Sequence, residues 1–408
     1  MSFLNGLPNV QELSEKDISE KYGMLKANCH LHTPYSFSAF EDIPQIFRMA
    51  KEEGINVLGI NDFYTASGYK EFAEHALRNR VFPLFNIEFM GLIKKYQQQN
   101  IRVNDPSNPG RIYFCGKGLD FPVTMPPENQ AVIERLIAQS TQQTSAMLER
   151  VNQLLNTVNA GWQLDKDTVL KEYTKGMLRE RHIAKALRIK IQEEYPGTDQ
   201  QKSFLQALYQ GKPPTAPLND IPALENELRK NLLKAGGAAY VPEDETAFLP
   251  LEQIIEWIIA AGGIPCYPVL LDDKNGDYTD FEKDFEKMHR FLVSKNIYFL
   301  ELIPGRNDLS AVKAFIRFFR ERNFRISFGT EHNTPALTPL DIICRGNVPL
   351  DEELHTINYH SACIIAAHQY LRAKGEQGFI KNNKEPDIDH HEKYIKLGKA
   401  VIQEYFKQ

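Results

Sequence analysis

The feature that most constrains the fold is a regular alternation of apolar strands and amphipathic helices between residues 28 and 88. A helix is predicted at residues 41–53, because Pro44 suits the first turn of a helix and Gly54 is a typical helix end. The same pattern predicts a buried strand at residues 55–60, a helix at 68–80 and a third strand at 81–88. This order of elements is typical of a parallel sheet or an α/β barrel.

Side chains that can bind a metal stand where these predicted strands end. His30 and His32 flank one residue at the end of the first strand, and side chains two residues apart on a strand point to the same face. Asp62 follows the second strand and Glu88 ends the third. In such folds the chemistry lies at the C-terminal ends of the strands. A solvated strand face would also explain the two histidines, but three strands that bring such groups to one rim favour a metal site.

The pattern changes at residues 126–242, where long polar and amphipathic stretches predict an all-helical insertion over that rim. The α/β pattern returns at residue 249, and its last predicted strand, residues 324–328, leads into Gly329-Thr330-Glu331-His332-Asn333. Four parts are predicted: the first part of a barrel (1–120), the insertion (121–245), the second part of the barrel (246–345) and a helical C-terminal extension (346–408). The first part begins with a helical lead-in at residues 1–27.

Composition narrows the functional classes. A net charge of −5 gives no basic field for nucleic acid. The five cysteines are scattered without a CxxC pair, which argues against a disulfide framework or a cysteine zinc site. Neither a signal peptide nor a stretch of about 18 apolar residues is evident. We therefore expect a cytoplasmic location and no membrane partner.

In their order along the chain, these motifs resemble the PHP-domain proteins (polymerase and histidinol phosphatase). The resemblance covers roughly residues 25–120 and 245–335, and the matching motifs are His30-x-His32-Thr33 with Ser36, Asp62, Glu88, Gly262-Gly263-Ile264 and Gly329-Thr330-Glu331. It implies a distorted (β/α)7 barrel, here with an all-helical insertion and a helical C-terminal extension. Typical members hold two or three Mn, Zn or Fe ions and hydrolyse phosphoesters.

Departures from the family pattern imply a reduced site. Four residues that bind metal poorly stand where the family has ligands: Phe37, Phe63, Tyr267 and Asn333. Those aligned with the ligands that hold a single metal are retained: His30, His32, Glu88 and Glu331. The resemblance therefore implies one divalent ion (Zn, Mn or Fe). Asp62 and His332 are expected either as additional ligands, with His332 able to recruit a second ion, or as groups behind the ligands. Capping of a helix or pairing with a basic residue would explain Asp62 equally well.

Substrate contacts are expected from the insertion, since one branch of the family carries an Arg–His helix over the site. Arg179 and Arg181 are either a phosphate clamp or a solvated helix face, because guanidinium groups match phosphate bidentately. His182 is either a catalytic acid or a packing residue. Tyr267 either donates to a substrate oxygen or lies in the core. Glu301, at a strand end, is either a group behind the metal ligands or a structurally paired carboxylate.

The expected function is that of a metal-dependent, phosphoesterase-like hydrolase acting on a phosphorylated small molecule, and no residue is assigned as the catalytic group. The alternative is a non-catalytic protein on a degenerate PHP scaffold that binds a phosphorylated or anionic ligand. Neither interpretation predicts an oligomeric state.

Overall fold

The computed structural model describes residues 3–16 and 24–408. Its main sheet contains the strands β1 (Lys26–Leu31), β2 (Ile55–Phe63), β3 (Phe82–Leu92), β4 (Arg111–Lys117), β5 (Leu249–Pro250), β6 (Ile264–Val269), β7 (Phe299–Leu302) and β8 (Arg325–Phe328). Seven of them follow one another in the order β1-β2-β3-β4-β6-β7-β8, and the two-residue β5 pairs with the end of β3. A separate ribbon pairs β9 (Ile343–Cys344) with β10 (Val348–Pro349).

The seven-stranded sheet curls until its two edges meet. Beyond the end of β8, Glu331 forms a parallel bridge with Leu31 of β1. The amide of His32 donates to the carbonyl of Glu331 at 2.8 Å, and the amide of Glu331 donates to the carbonyl of His30 at 2.9 Å. The expected α/β barrel is thereby confirmed. It is distorted because β4 runs antiparallel to both β3 and β6, whereas the other neighbouring strands of the path are parallel.

Helices cover the barrel. The lead-in contains α1 (Val10–Glu15), and the part of that prediction on residues 1, 2 and 17–23 lies outside the described residues. The helices between strands are α2 (Ile43–Glu53), α3 (Tyr69–Asn79), α4 (Lys94–Gln98), α10 (Leu251–Ala260), α11 (Phe285–Ser294) and α12 (Leu309–Arg320). Gly54 ends α2 with a left-handed φ of 70°, as its sequence position predicts.

Residues between β4 and β5 are helical and build an apolar core of their own. The helices are α5 (Pro127–Thr157), α6 (Lys166–Tyr173), α7 (Glu180–Glu194), α8 (Thr198–Leu208) and α9 (Ile221–Leu228). Their buried apolar side chains, among them Val151, Leu187 and Leu228, form a cluster separate from that of the barrel. The start of α7 meets the barrel rim, where the ring of His182 lies 5.1 Å from that of Phe37.

The C-terminal helices α13 (Glu352–Ala373) and α14 (His391–Tyr405) pack against the barrel where its parallel strands begin. Asn358 of α13 joins the two sheet edges: its Nδ2 donates to the carbonyl of Ala27 at 2.6 Å, and its Oδ1 accepts from the amide of Phe328 at 2.7 Å. The extension is therefore part of the barrel's closure. Among the helices of the described residues, none has the length and apolarity needed to cross a bilayer.

Candidate metal centre

Two imidazoles meet at the rim of the barrel. His30 lies in β1 and His32 follows that strand, so alternation places both rings on the inner side. Their Nε2 atoms are 3.3 Å apart and both side chains are buried. The expected convergence of these two rings is what the structure shows.

The hydrogen bonds behind the rings fix their tautomers. His30 Nδ1 lies 2.5 Å from Glu301 Oε2, a carboxylate that can only accept. His32 Nδ1 lies 3.2 Å from Ser36 Oγ, whose own proton is donated to Asp62 Oδ1 at 2.6 Å. Both rings therefore carry their proton on Nδ1, and both Nε2 lone pairs point into the site.

Glu88 completes a group of acceptors that face one another. It ends the pairing of β2 with β3, opposite Phe63, and its Oε2 lies 3.0 Å from His32 Nε2 and 3.8 Å from His30 Nε2. That oxygen is buried and has no hydrogen-bond donor. Burial raises the pKa of Glu88 to about 7, against the opposing charge of His30, and repulsion from Glu301 adds to the rise. Burial, and then the charges of Arg179 and Arg306, lowers the pKa of His32, so its ring is neutral. The contact between His32 Nε2 and Glu88 Oε2 therefore needs a proton or a cation between the two atoms.

Glu331 reaches the same place from the far end of the barrel. Its ligand atoms and those of His30, His32 and Glu88 all lie within 4.8 Å of one another. Gly329 permits this approach, because a Cβ there would lie 2.3 Å from the Cβ of His30. In the structure Glu331 Oε2 is paired with the Arg306 guanidinium, and its Oε1 accepts from Asn333 Nδ2 at 2.9 Å.

A polar cluster lies behind His30, and only Glu301 among its members was singled out from the sequence. Lys117 is fully buried, and its Nζ lies 2.5 Å from Glu301 Oε1 and 3.1 Å from Asn61 Oδ1. Burial alone would raise the pKa of Glu301, but Lys117 and His30 hold it at about 2. Asn61 Nδ2 donates to His30 Nε2 at 3.1 Å, a hydrogen bond that a metal ion on this nitrogen would replace. Alternation along β4 could have indicated that Lys117 is buried, because Lys117 shares a strand face with Cys115 in a strand that is otherwise almost entirely apolar.

Asp62 and His332 lie behind the four converging side chains and not among them. Asp62 accepts from the amide and the hydroxyl of Thr33, and from Ser36. Both ring nitrogens of His332 are used, with Nδ1 2.8 Å from Thr330 Oγ1 and Nε2 2.8 Å from the carbonyl of Thr338. Ligation by His332 would break these bonds, which argues against it as an additional ligand.

Tyr267 does not face the site, contrary to the substrate-contact expectation. It is fully buried, its ring lies 6.0 Å from that of Phe281, and its hydroxyl donates to Glu282 at 2.8 Å. Alternation along β6 explains this placement, because the neighbouring Cys266 faces inward and Tyr267 therefore faces the surrounding helices. The core placement that the sequence left open is the one observed.

The insertion brings Arg179 over the rim. Its guanidinium lies 4.8 Å from the centre of the Phe63 ring, which in turn stacks on His32 at 4.8 Å. One of its nitrogens, Nη1, is buried and has no hydrogen-bond partner. Arg181 instead pairs with Asn226 and stands over Phe37. His182 Nδ1 accepts from the amide of Arg179, so this ring caps the start of α7.

Comparison with known proteins finds one family whose model matches part of the chain. The family model of the PHP domain matches residues 28–192, which span the first part of the barrel and extend into the insertion. This match confirms the resemblance to the PHP-domain family that the motifs show. No curated protein matches the chain significantly.

Two solved structures are similar at low identity. One is from Bifidobacterium adolescentis and is assigned as a metal-dependent phosphoesterase; it is 16% identical, covers 82% of this chain and 95% of its own, and has a TM-score of 0.49. The other is an amidohydrolase from Chromobacterium violaceum with bound sulfate and no metal; it is 17% identical, covers 81% and 96%, and has a TM-score of 0.48.

The donor set at the rim suits a divalent cation. Two neutral imidazoles and two carboxylates would balance its charge, and this mixture of nitrogen and oxygen donors is typical of Zn, Mn and Fe sites. The unpartnered Glu88 oxygen, facing two nitrogen lone pairs, is the observation that fits such an ion most directly. A second triad, His30 with Cys115 and Glu301, lies deeper in the barrel, where Lys117 already neutralises the carboxylate.

Proposed function

We propose that the chain is a metal-dependent phosphoesterase that acts on a phosphorylated small molecule through one divalent ion. The observation that supports this most strongly is the meeting of three acceptors, Glu88 Oε2 and the two Nε2 atoms, with no donor for the carboxylate oxygen. Leaving such a group unsatisfied would cost about 1–3 kcal/mol, so a cation is the natural partner. His30, His32, Glu88 and Glu331 would hold it.

The protein's own groups would bind and orient the phosphate. When bound, a divalent ion at this site would supply Lewis-acid stabilisation of charge on a phosphoryl oxygen. Arg179 offers a buried guanidinium nitrogen that lacks an acceptor, beside the Phe63 ring that covers His32. A planar guanidinium matches phosphate oxygens well. The rings of Phe37 and Phe63 would exclude water from this side of the site, which strengthens charge interactions there.

Metal analysis tests the binding half of the proposal. Purified wild-type protein is expected to retain one divalent ion per chain after dialysis. The His30→Ala/His32→Ala variant should retain about none, whereas His390→Ala, at an exposed histidine, should match the wild type. Equal metal content in the double variant and the wild type would refute the site.

Turnover tests the catalytic half. A generic phosphomonoester such as p-nitrophenyl phosphate is expected to be hydrolysed by the metal-loaded wild type. Glu88→Gln, which removes one charge with little change of shape, should lower kcat/KM by at least a hundredfold. Glu286→Gln is the matched control, because that carboxylate is exposed and pairs with Arg322 away from the rim.

A non-catalytic binding protein remains the second candidate, and the observation that favours it is Phe63. This ring stacks directly on His32 at a position where the family has a metal ligand, so it leaves the site with fewer donors. Such a protein would be stabilised by phosphate in a melting experiment but would show no turnover with any phosphoester. Hydrolysis that disappears in Glu88→Gln would exclude it.

A further inference from the structure

Arg306 and the metal would compete for the same carboxylate. Glu331 Oε2 pairs with the Arg306 guanidinium, while the Glu331 carboxylate also lies within 4.8 Å of the donor atoms of the two histidines and Glu88. An ion bound by this carboxylate withdraws negative charge from it and thereby weakens its pairing with Arg306. Arg306 thus neutralises the Glu331 carboxylate when no metal ion is bound to it.

The backbone at both Arg306 and Glu331 is held in place. The exchange of Arg306 for a metal ion at the Glu331 carboxylate therefore involves movement of the side chains only. Glu331 is fixed by its two hydrogen bonds to β1 and adopts a left-handed φ of 68°. Arg306 ends the 3₁₀ turn Pro304–Arg306, and Arg345 donates to its carbonyl. Non-glycine residues in the left-handed region persist only where their surroundings hold them.

The two side chains differ in their access to solvent. The side chain of Arg306 is 42% exposed and that of Glu331 only 12% exposed, so Arg306 approaches the buried carboxylate from the open side of the site. When Glu331 turns inward to an ion, Arg306 keeps its charge and its place on the open side. An unpaired guanidinium beside a cation is a binding site for an anion.

We propose that metal binding releases Arg306 from Glu331, so that Arg306 together with Arg179 forms an anion site at the rim. This inference rests on the proposed metal site and deepens it, because it makes phosphate binding conditional on the metal. The ligand is a phosphoryl group with free anionic oxygens. By linkage, phosphate must tighten metal binding by the same factor as metal tightens phosphate binding.

The first experiment uses metal-free protein and inorganic phosphate, measured by isothermal titration calorimetry. Glu331→Gln removes the charge that holds Arg306 and keeps an acceptor for Asn333. This variant is expected to bind phosphate at least tenfold more tightly than metal-free wild type. Asp351→Asn is the control, because it removes a carboxylate from an exposed pair with Lys313. No gain in Glu331→Gln would overturn the inference.

The second experiment measures Mn²⁺ binding by the electron paramagnetic resonance of the free ion, with and without phosphate. In the wild type, saturating phosphate should lower the Mn²⁺ Kd at least fivefold beyond a protein-free correction. Arg306→Gln should bind Mn²⁺ more tightly without phosphate and should lose that fivefold effect, while Arg322→Gln should behave as wild type. Arg306→Gln with weaker Mn²⁺ binding, or with the effect intact, would contradict the competition. Absence of Mn²⁺ binding in the wild type would instead refute the metal site itself.

Discussion

Gly329→Ala is expected to damage the metal centre without altering any donor atom. A Cβ at this position would lie 2.3 Å from His30 Cβ and 2.7 Å from the His30 carbonyl oxygen, whereas ordinary contacts begin at 3.4 Å. Because the contacts are to the Cβ and the backbone of His30, a shift is unavoidable, and the end of β8 is expected to move away from β1. Because Glu331 is carried by that same segment, its carboxylate would move away from the His30 ring.

The size of the effect follows from these contacts. Overpacking of this kind costs about 1–3 kcal/mol of folding free energy. Displacing a group that holds ligands in place typically costs tenfold to a hundredfold in metal affinity, and we expect about that loss here. Both effects have one cause, the bridge between β1 and the residues after β8.

Urea unfolding gives the stability change, and a chelator competition gives the metal Kd. Gly305→Ala is the matched control, since it lies on the same rim and its Cβ would meet its nearest atom, the Ile343 carbonyl oxygen, at 3.6 Å. The control should stay within about 0.5 kcal/mol of wild type, as surface substitutions usually do. If Gly329→Ala bound metal as tightly as Gly305→Ala, the geometric reasoning about this rim would be refuted.

Three further outcomes are expected. Ser36→Ala leaves the Nδ1 proton of His32 without its acceptor, so metal affinity measured by chelator competition should fall about tenfold to a hundredfold. Lys117→Met strands a buried carboxylate and should cost about 3–5 kcal/mol in urea unfolding; the double variant with Glu301→Gln should recover part of that loss, and an additive result would contradict the pairing. Burial lowers the pKa of His368 to about 4, against an ordinary value of 6.5, so the unfolded chain takes up a proton first as pH falls. The stability that neutral His368 contributes is complete above pH 6.5 and decreases toward pH 4, by about 2 kcal/mol at pH 5. His368→Gln should flatten that part of the pH profile of unfolding, and an unchanged slope would contradict the assignment.

The local pattern of the sequence predicts the elements better than it predicts their pairing. The stop at Gly54 and the two-residue spacing of His30 and His32 act within one turn or one strand, so they can be recognised in the sequence and both appear in the structure. The direction of β4 depends on long-range pairing with β3 and β6, which no local period encodes. The role of Asn358 is likewise invisible locally, because it joins Ala27 to Phe328.

The candidate centre was predictable to the extent that its residues stand at strand ends. The resemblance placed Glu331 with His30, His32 and Glu88, and the structure brings these four together. Lys117 and Arg306 were missed because a single lysine or arginine carries no pattern of its own. Their significance arises only when the barrel closes and sets them beside carboxylates.

The most direct test of the central claim is a crystal structure of metal-loaded protein, with anomalous data collected at the absorption edge of the bound ion. The account predicts one anomalous peak at the rim, bonded to the Nε2 atoms of His30 and His32 and to Glu88, with Glu331 turned toward it and away from Arg306. A loaded crystal in which the peak lies elsewhere, or in which the two imidazoles do not share it, would contradict the account.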